Sequence, residues 1–88
     1  MNIELVLTYY WYQEMIEGHK DVEYRSESEY WMKRIWANRD KITHATFHMG
    51  YTSTTITRPV LLIDRGGCPY DGWDGDYVRL HLGAIEDE

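Results

Sequence analysis

Between Trp11 and Trp36 the chain reads Trp-Tyr-Gln-Glu-Met-Ile-Glu-Gly-His-Lys-Asp-Val-Glu-Tyr-Arg-Ser-Glu-Ser-Glu-Tyr-Trp-Met-Lys-Arg-Ile-Trp. This run constrains the fold more than any other. Gly18 takes the left-handed conformation that ends a helix at no steric cost, so the residues before it form a helix that stops there. Ser26 and Ser28 are both N-cap residue types, and Glu27 and Glu29 suit a first helical turn. Only a short strand fits between the stop and the cap, and it carries Glu23 and Arg25. Strand alternation puts those two on one face and Val22 and Tyr24 on the other. Charged residues in so short a strand require either internal pairing or a ligand.

The rest of the chain frames this unit. Ile3, Leu5 and Leu7 alternate with Glu4 and Val6, which predicts a strand over 2–8. Thr8 is placed to cap a helix running to Glu17, with Trp11, Met15 and Ile16 as its apolar face. Tyr30, Trp31, Arg34 and Ile35 follow helical spacing in a second helix closed by Trp36, and 37–40 is a loop. Strands are expected over 42–48, 54–64 and 76–82, with a turn over 49–53. Pro59 lacks a backbone donor and implies an edge position or a bulge. The segment from Arg65 to Gly75 is rich in glycine and is expected to be a structured loop.

The 88 residues form one domain over 1–88. Strands segregated after helices point to α+β. A sheet of five to six short strands is expected to curl into a small barrel, with the two helices over its openings. A domain this small buries a modest share of its surface. Four Trp, eight Tyr and one Phe supply large buried area from few rotors. The single cysteine, Cys68, excludes an internal disulfide and fits a reducing compartment. No apolar run approaches the roughly 20 residues that span a bilayer. The expected location is the cytoplasm, with no membrane partner. A net charge of −6 argues against nonspecific duplex DNA binding, but it permits a local basic cleft or an acidic surface for a protein partner. Lys33, Arg34, Arg39 and Lys41 cluster in sequence, and Glu86, Asp87 and Glu88 place acid at the far end.

Several of these residues resemble a known pattern. Gly18-His19-Lys20-Asp21-Val22-Glu23-Tyr24-Arg25, followed by Tyr30-Trp31 and Arg34, resembles the Gly-x-Lys-x-x-Glu-Tyr-Arg core and the Tyr-Trp-x-x-Arg of small phage and bacterial members of the ASCH domain family. Phe47 to Tyr51, Ile63 to Gly66 and Tyr77 to Gly83 are similar to later segments of that subgroup. The resemblance implies a PUA-like barrel with a cleft beside the first helix, and an RNA- or modified-nucleoside-binding role. Some family members are amidohydrolases acting on N4-acetylcytidine, with a lysine and a threonine three residues apart in this segment. Here Lys20 keeps the lysine but Glu23 stands at the threonine position, so that nucleophile is missing.

The residues themselves offer two candidate groups. Lys20, Glu23, Tyr24 and Arg25 suit a nucleotide: Arg25 donates a fork to phosphate or a base edge, Lys20 acts as a point charge, and Glu23 accepts from an amino group or serves as a base. The structural alternative is a buried, self-satisfied Glu–Arg pair. Trp31 and Arg34, with Tyr30, suit stacking and cation–π contact with a base; the alternative is plain packing of the helix on the sheet. His44 and His48 lie roughly 13 Å apart if they share a strand face, so no metal site is expected, and no cofactor is implied. In the glycine-rich loop, Tyr70 and Trp73 are either pinned over the barrel or part of a lid. Three function classes follow: a module binding RNA or a nucleoside; a hydrolase or ribonuclease with Glu23 as base and Lys20 as stabiliser; and a phage-type protein that binds a host protein.

Overall fold

The computed structural model describes residues 1–85, and the acidic end at Glu86, Asp87 and Glu88 lies outside them. The elements are β1 (Asn2–Leu7), α1 (Tyr9–Ile16), β2 (Val22–Ser26), α2 (Glu29–Arg34), a 3-10 turn (Trp36–Asn38), β3 (His44–Met49), β4 (Thr55–Gly67) and β5 (Asp76–Leu82). The strands form one five-stranded sheet in the order β1-β3-β4-β5-β2, curled into a half-barrel that the two helices accompany. β1 runs parallel to β3 and every other pairing is antiparallel. Both outer members, β1 and β2, keep one unpaired edge. Among the described residues, no helix is long and apolar enough to cross a membrane.

The inner face follows the alternation in the sequence. Ile3, Leu5 and Leu7 of β1, Ala45 and Phe47 of β3, Ile63 of β4, and Val78, Leu80 and Leu82 of β5 are buried together with Ile35 and Ile42. From α1 the buried residues are Tyr12 and Met15, while Ile16 is exposed. Of the expected apolar face, Met15 is buried and Trp11 is half-buried against the core, while Ile16 is exposed and Tyr12 takes the inward place; the Trp11 ring also meets the loop aromatics. Thr8 sits at the N-cap without a side-chain bond; its carbonyl accepts from Tyr12 N. Ser28, not Ser26, caps α2, its Oγ accepting from Trp31 N at 3.4 Å. α2 ends at Arg34, before Trp36, because Asn38 folds back and donates to the carbonyls of Lys33 and Arg34 at 3.1 Å each. The expected loop over 37–40 thereby begins as a 3-10 turn.

β4 explains the curl. It pairs with β3 over Thr55–Pro59 and with β5 over Val60–Gly67, and the register shifts between Val60 and Leu62. Pro59 falls at this handover, so the bulge reading holds and the edge reading does not. β4 also runs three residues past the expected end at Asp64. Gly66 was expected in a loop, yet it pairs with Tyr77. Its missing side chain admits Arg79, since a Cβ there would lie 2.6 Å from the Arg79 guanidinium carbon.

Arg58 of β4 is buried, 3 % exposed, and fixes the link between α1 and β2. It donates to Lys20 O at 2.6 Å, Asp21 Oδ1 at 2.8 Å and Gly83 O at 2.6 Å. Replacing it with methionine keeps bulk but leaves these acceptors without their donor. Arg58→Met is expected to destabilise the fold by about 3–5 kcal/mol, read as a lowered urea midpoint. Arg58→Lys is expected to recover little, because one ammonium cannot reproduce the fork. A full recovery by lysine would refute this role.

On the outer face, Asp64 accepts from Arg79 Nε and Nη2 at 2.8 and 2.7 Å, and His81 Nε2 lies 2.9 Å away. The Arg79 hydrogen bonds, helped by His81, hold the Asp64 carboxyl at about 2, against an ordinary 3.8. A carboxyl whose folded-state pKa is lowered stabilises the fold above its unfolded pKa and loses that contribution as pH falls through the folded one. Stability is therefore expected to drop between about pH 4 and pH 2 by a component that Asp64→Asn lacks. Urea midpoints whose gap between the two proteins stays constant across that window would refute it.

Candidate functional site

β1 and β2 are the two open edges of the half-barrel, and a groove of about 330 Å³ lies between them. Val6, Leu7 and Thr8 line one side and Lys20, Glu23, Tyr24, Arg25 and Ser26 the other, with Trp11, Trp73 and Tyr77 completing the walls. Pairing with β5 puts Glu23 and Arg25 on the inner face, opposite Leu80 and Val78, and Tyr24 on the outer face, opposite Arg79. The groove therefore runs over the unpaired edge of β2 and takes side chains from both of its faces.

Glu23 holds the cations of this segment. Its side chain is 4 % exposed; Oε1 lies 3.1 Å from Lys20 Nζ and Oε2 lies 2.6 Å from Arg25 Nη2. Arg25 Nε also donates to Oε2 at 2.8 Å, and Nη2 donates across the seam to Val6 O at 3.0 Å. Among the described residues, Arg25 Nη1 has no protein acceptor. Two cations against one carboxylate give the groove a local excess of positive charge.

Lys20, expected to act as a point charge, is enclosed by protein groups. It is 5 % exposed and donates to Val22 O at 3.0 Å and Tyr70 Oη at 3.5 Å. Its ammonium lies 4.8 Å from the Trp11 ring centroid and 5.4 Å from those of Tyr24 and Tyr70. A desolvated ammonium gains from ring faces placed in this way. The Tyr70 ring stacks on Trp11 at 4.9 Å and meets Trp73 edge-on at 5.6 Å. Burial raises the phenol pKa of both Tyr24 and Tyr70. The aromatic end of the glycine-rich loop is thus packed onto α1, with Trp73 reaching the groove.

Of the residues singled out in the sequence, Lys20, Glu23, Tyr24 and Arg25 come together in the groove. Trp31 stands behind them, its ring 4.9 Å from the Arg25 guanidinium, and packs against the core. Arg34 lies outside the groove, over the Tyr30 ring at 5.4 Å. Trp11, Trp73 and Tyr77 were not foreseen as groove residues. The helical spacing of Trp11 accounts for its packing on the core but not for its place in the groove, and no local pattern brings Trp73 to β2. His48 in β3 pairs with Glu4 at 2.9 Å.

No protein-family model matches this chain, and no curated protein or solved structure matches it.

Glu23 carries the electrostatics of the site. Glu23→Gln leaves Lys20 and Arg25 close together without their shared counter-charge and is expected to cost about 3 kcal/mol. Adding Lys20→Met, which keeps apolar bulk inside the ring cage, is expected to return part of that loss. Additive costs in a urea double-mutant cycle would show that the pair is not coupled.

Proposed function

We propose that the groove binds a nucleoside or nucleotide of RNA, and that the protein is a PUA-like module of the ASCH type. The observation that carries this reading is the Arg25 guanidinium, oriented by Glu23 and Val6 O, in a ring-walled groove. A planar base suits the walls formed by Trp11, Trp73 and Tyr77, and the unused Arg25 nitrogen suits a carbonyl or phosphate oxygen. A concave site with a positive excess, in a chain of net charge −6, favours an anionic or electron-rich small ligand over a flat protein contact. The Gly18–Arg25 resemblance adds independent support. The hydrolase reading is weaker, since both Glu23 oxygens are engaged by cations.

Trp11 and Trp73 make the ligand detectable. Ribonucleotide monophosphates are expected to quench tryptophan emission saturably at sub-millimolar to millimolar concentration. Arg25→Gln is expected to weaken binding at least about tenfold, the loss of one charge-assisted contact. Absence of saturable quenching or calorimetric heat across a panel of nucleosides and nucleotides would sink the reading.

A further inference from the structure

We propose that the corner built from the end of α2, the 3-10 turn and Arg65 of β4 binds the phosphodiester backbone of single-stranded polynucleotide as it leaves the groove. This rests on the nucleotide reading of the groove and makes the ligand a polymer rather than a free monomer.

The cations of this acidic chain divide sharply. Lys20 and Arg58 are buried, and Arg25 and Arg79 are held by Glu23 and Asp64. The remaining Lys and Arg residues, Lys33, Arg34, Arg39, Lys41 and Arg65, are all exposed. Four of them stand between residues 33 and 41. Lys33 pairs with Glu29 on the surface, and so exposed a pair is worth little; Arg65 is half-exposed and bonds the half-buried Glu27, which leaves part of its guanidinium open to solvent. Arg34, Arg39 and Lys41 have no acidic partner among the described residues. In a chain of net charge −6, a polyanion is repelled from most of the surface and admitted at this corner.

The rings give the patch a direction and a chemistry. From the groove outward, Arg25 lies 4.9 Å from Trp31, Trp31 meets Tyr30 edge-on at 4.7 Å, and Arg34 lies 5.4 Å from Tyr30. Guanidinium and ring thus continue from the groove to the exposed end of α2. Beyond it, Arg39 and Arg65 lie 4.3 and 5.4 Å from the centroid of one ring, Trp36. Asn38 ties this turn to the end of α2, so the cations sit on an ordered frame. Tyr30 is 56 % exposed and can receive a base. An acidic peptide needs the cations alone, whereas interleaved cations and rings suit a chain of phosphates and bases.

The test compares a labelled single-stranded RNA of about ten nucleotides with a ribonucleotide monophosphate, titrated at several salt concentrations. The RNA is expected to bind at least tenfold more tightly, with a log–log salt slope of about −2 for three neutralised phosphates. Arg34→Gln, Arg39→Gln and Arg65→Gln combined are expected to weaken RNA binding about tenfold and flatten the slope, with monophosphate binding unchanged. The single variants and the salt slope of the unaltered protein keep the test decisive if the triple variant misfolds. Equal affinity for RNA and monophosphate with no salt slope overturns the proposal. Competition by polyglutamate as effective as by RNA also overturns it and assigns the corner to an acidic polypeptide. RNA binding that the variants abolish, without any monophosphate binding, supports the corner while removing the groove reading. Binding of neither ligand overturns both.

Discussion

Glu23 accepts from Lys20 and Arg25 at the seam where the sheet stops short of closing on itself. Without that carboxylate, two largely buried cations would lie close together on the β2 side of the seam with no shared counter-charge. With it, Arg25 reaches over to Val6 O and ties β2 to β1 through a side chain. A backbone ladder at this position would close the barrel and fill the groove. A side-chain bridge joins the edges and leaves room between them. The groove thus depends on a charge pattern that a purely apolar seam could not supply.

The frame behind the seam is also polar. Arg58 reaches from the middle of β4 to the backbone at Lys20 and Gly83, which fixes where the Lys20 side chain begins. Trp11, Tyr24 and Tyr70 then fix where it ends. A lysine held at both ends acts as an internal tie that brings the loop aromatics onto α1. The β4 handover at Pro59 bends the sheet so that Arg58 and the segment it anchors can meet.

Much of this was legible in the sequence because it is local. Alternation in 2–8 and 76–82 gave the strands and their buried faces, Gly18 gave the helix stop, and Glu23 and Arg25 do share a face. What escaped depends on contacts distant along the chain. Gly66 and Gly67 look like loop residues until Arg79 is seen lying against Gly66. Trp11 packs against the core as its spacing suggests, but its second contact, the stack with Tyr70, comes from far along the chain. Arg58 resembles any polar residue of a strand, and only the fold reveals its acceptors. Trp31 and Arg34 are one helical turn apart, yet the first backs the groove and the second stands outside it.

The two readings offered for Lys20, Glu23 and Arg25, internal pairing and ligand contact, need not compete. Burying a charge is costly unless it is paired, and a buried ion pair adds little stability over well-packed apolar groups of the same size. Pairing alone therefore explains how this cluster is tolerated better than why it lines a groove. A guanidinium already oriented by Glu23 loses little further freedom when it meets a ligand. The same pairing occupies both Glu23 oxygens, Oε1 with Lys20 and Oε2 with Arg25. Orientation of a guanidinium at the rim of a groove is what the proposed binding role requires, and glutamate at position 23 provides it.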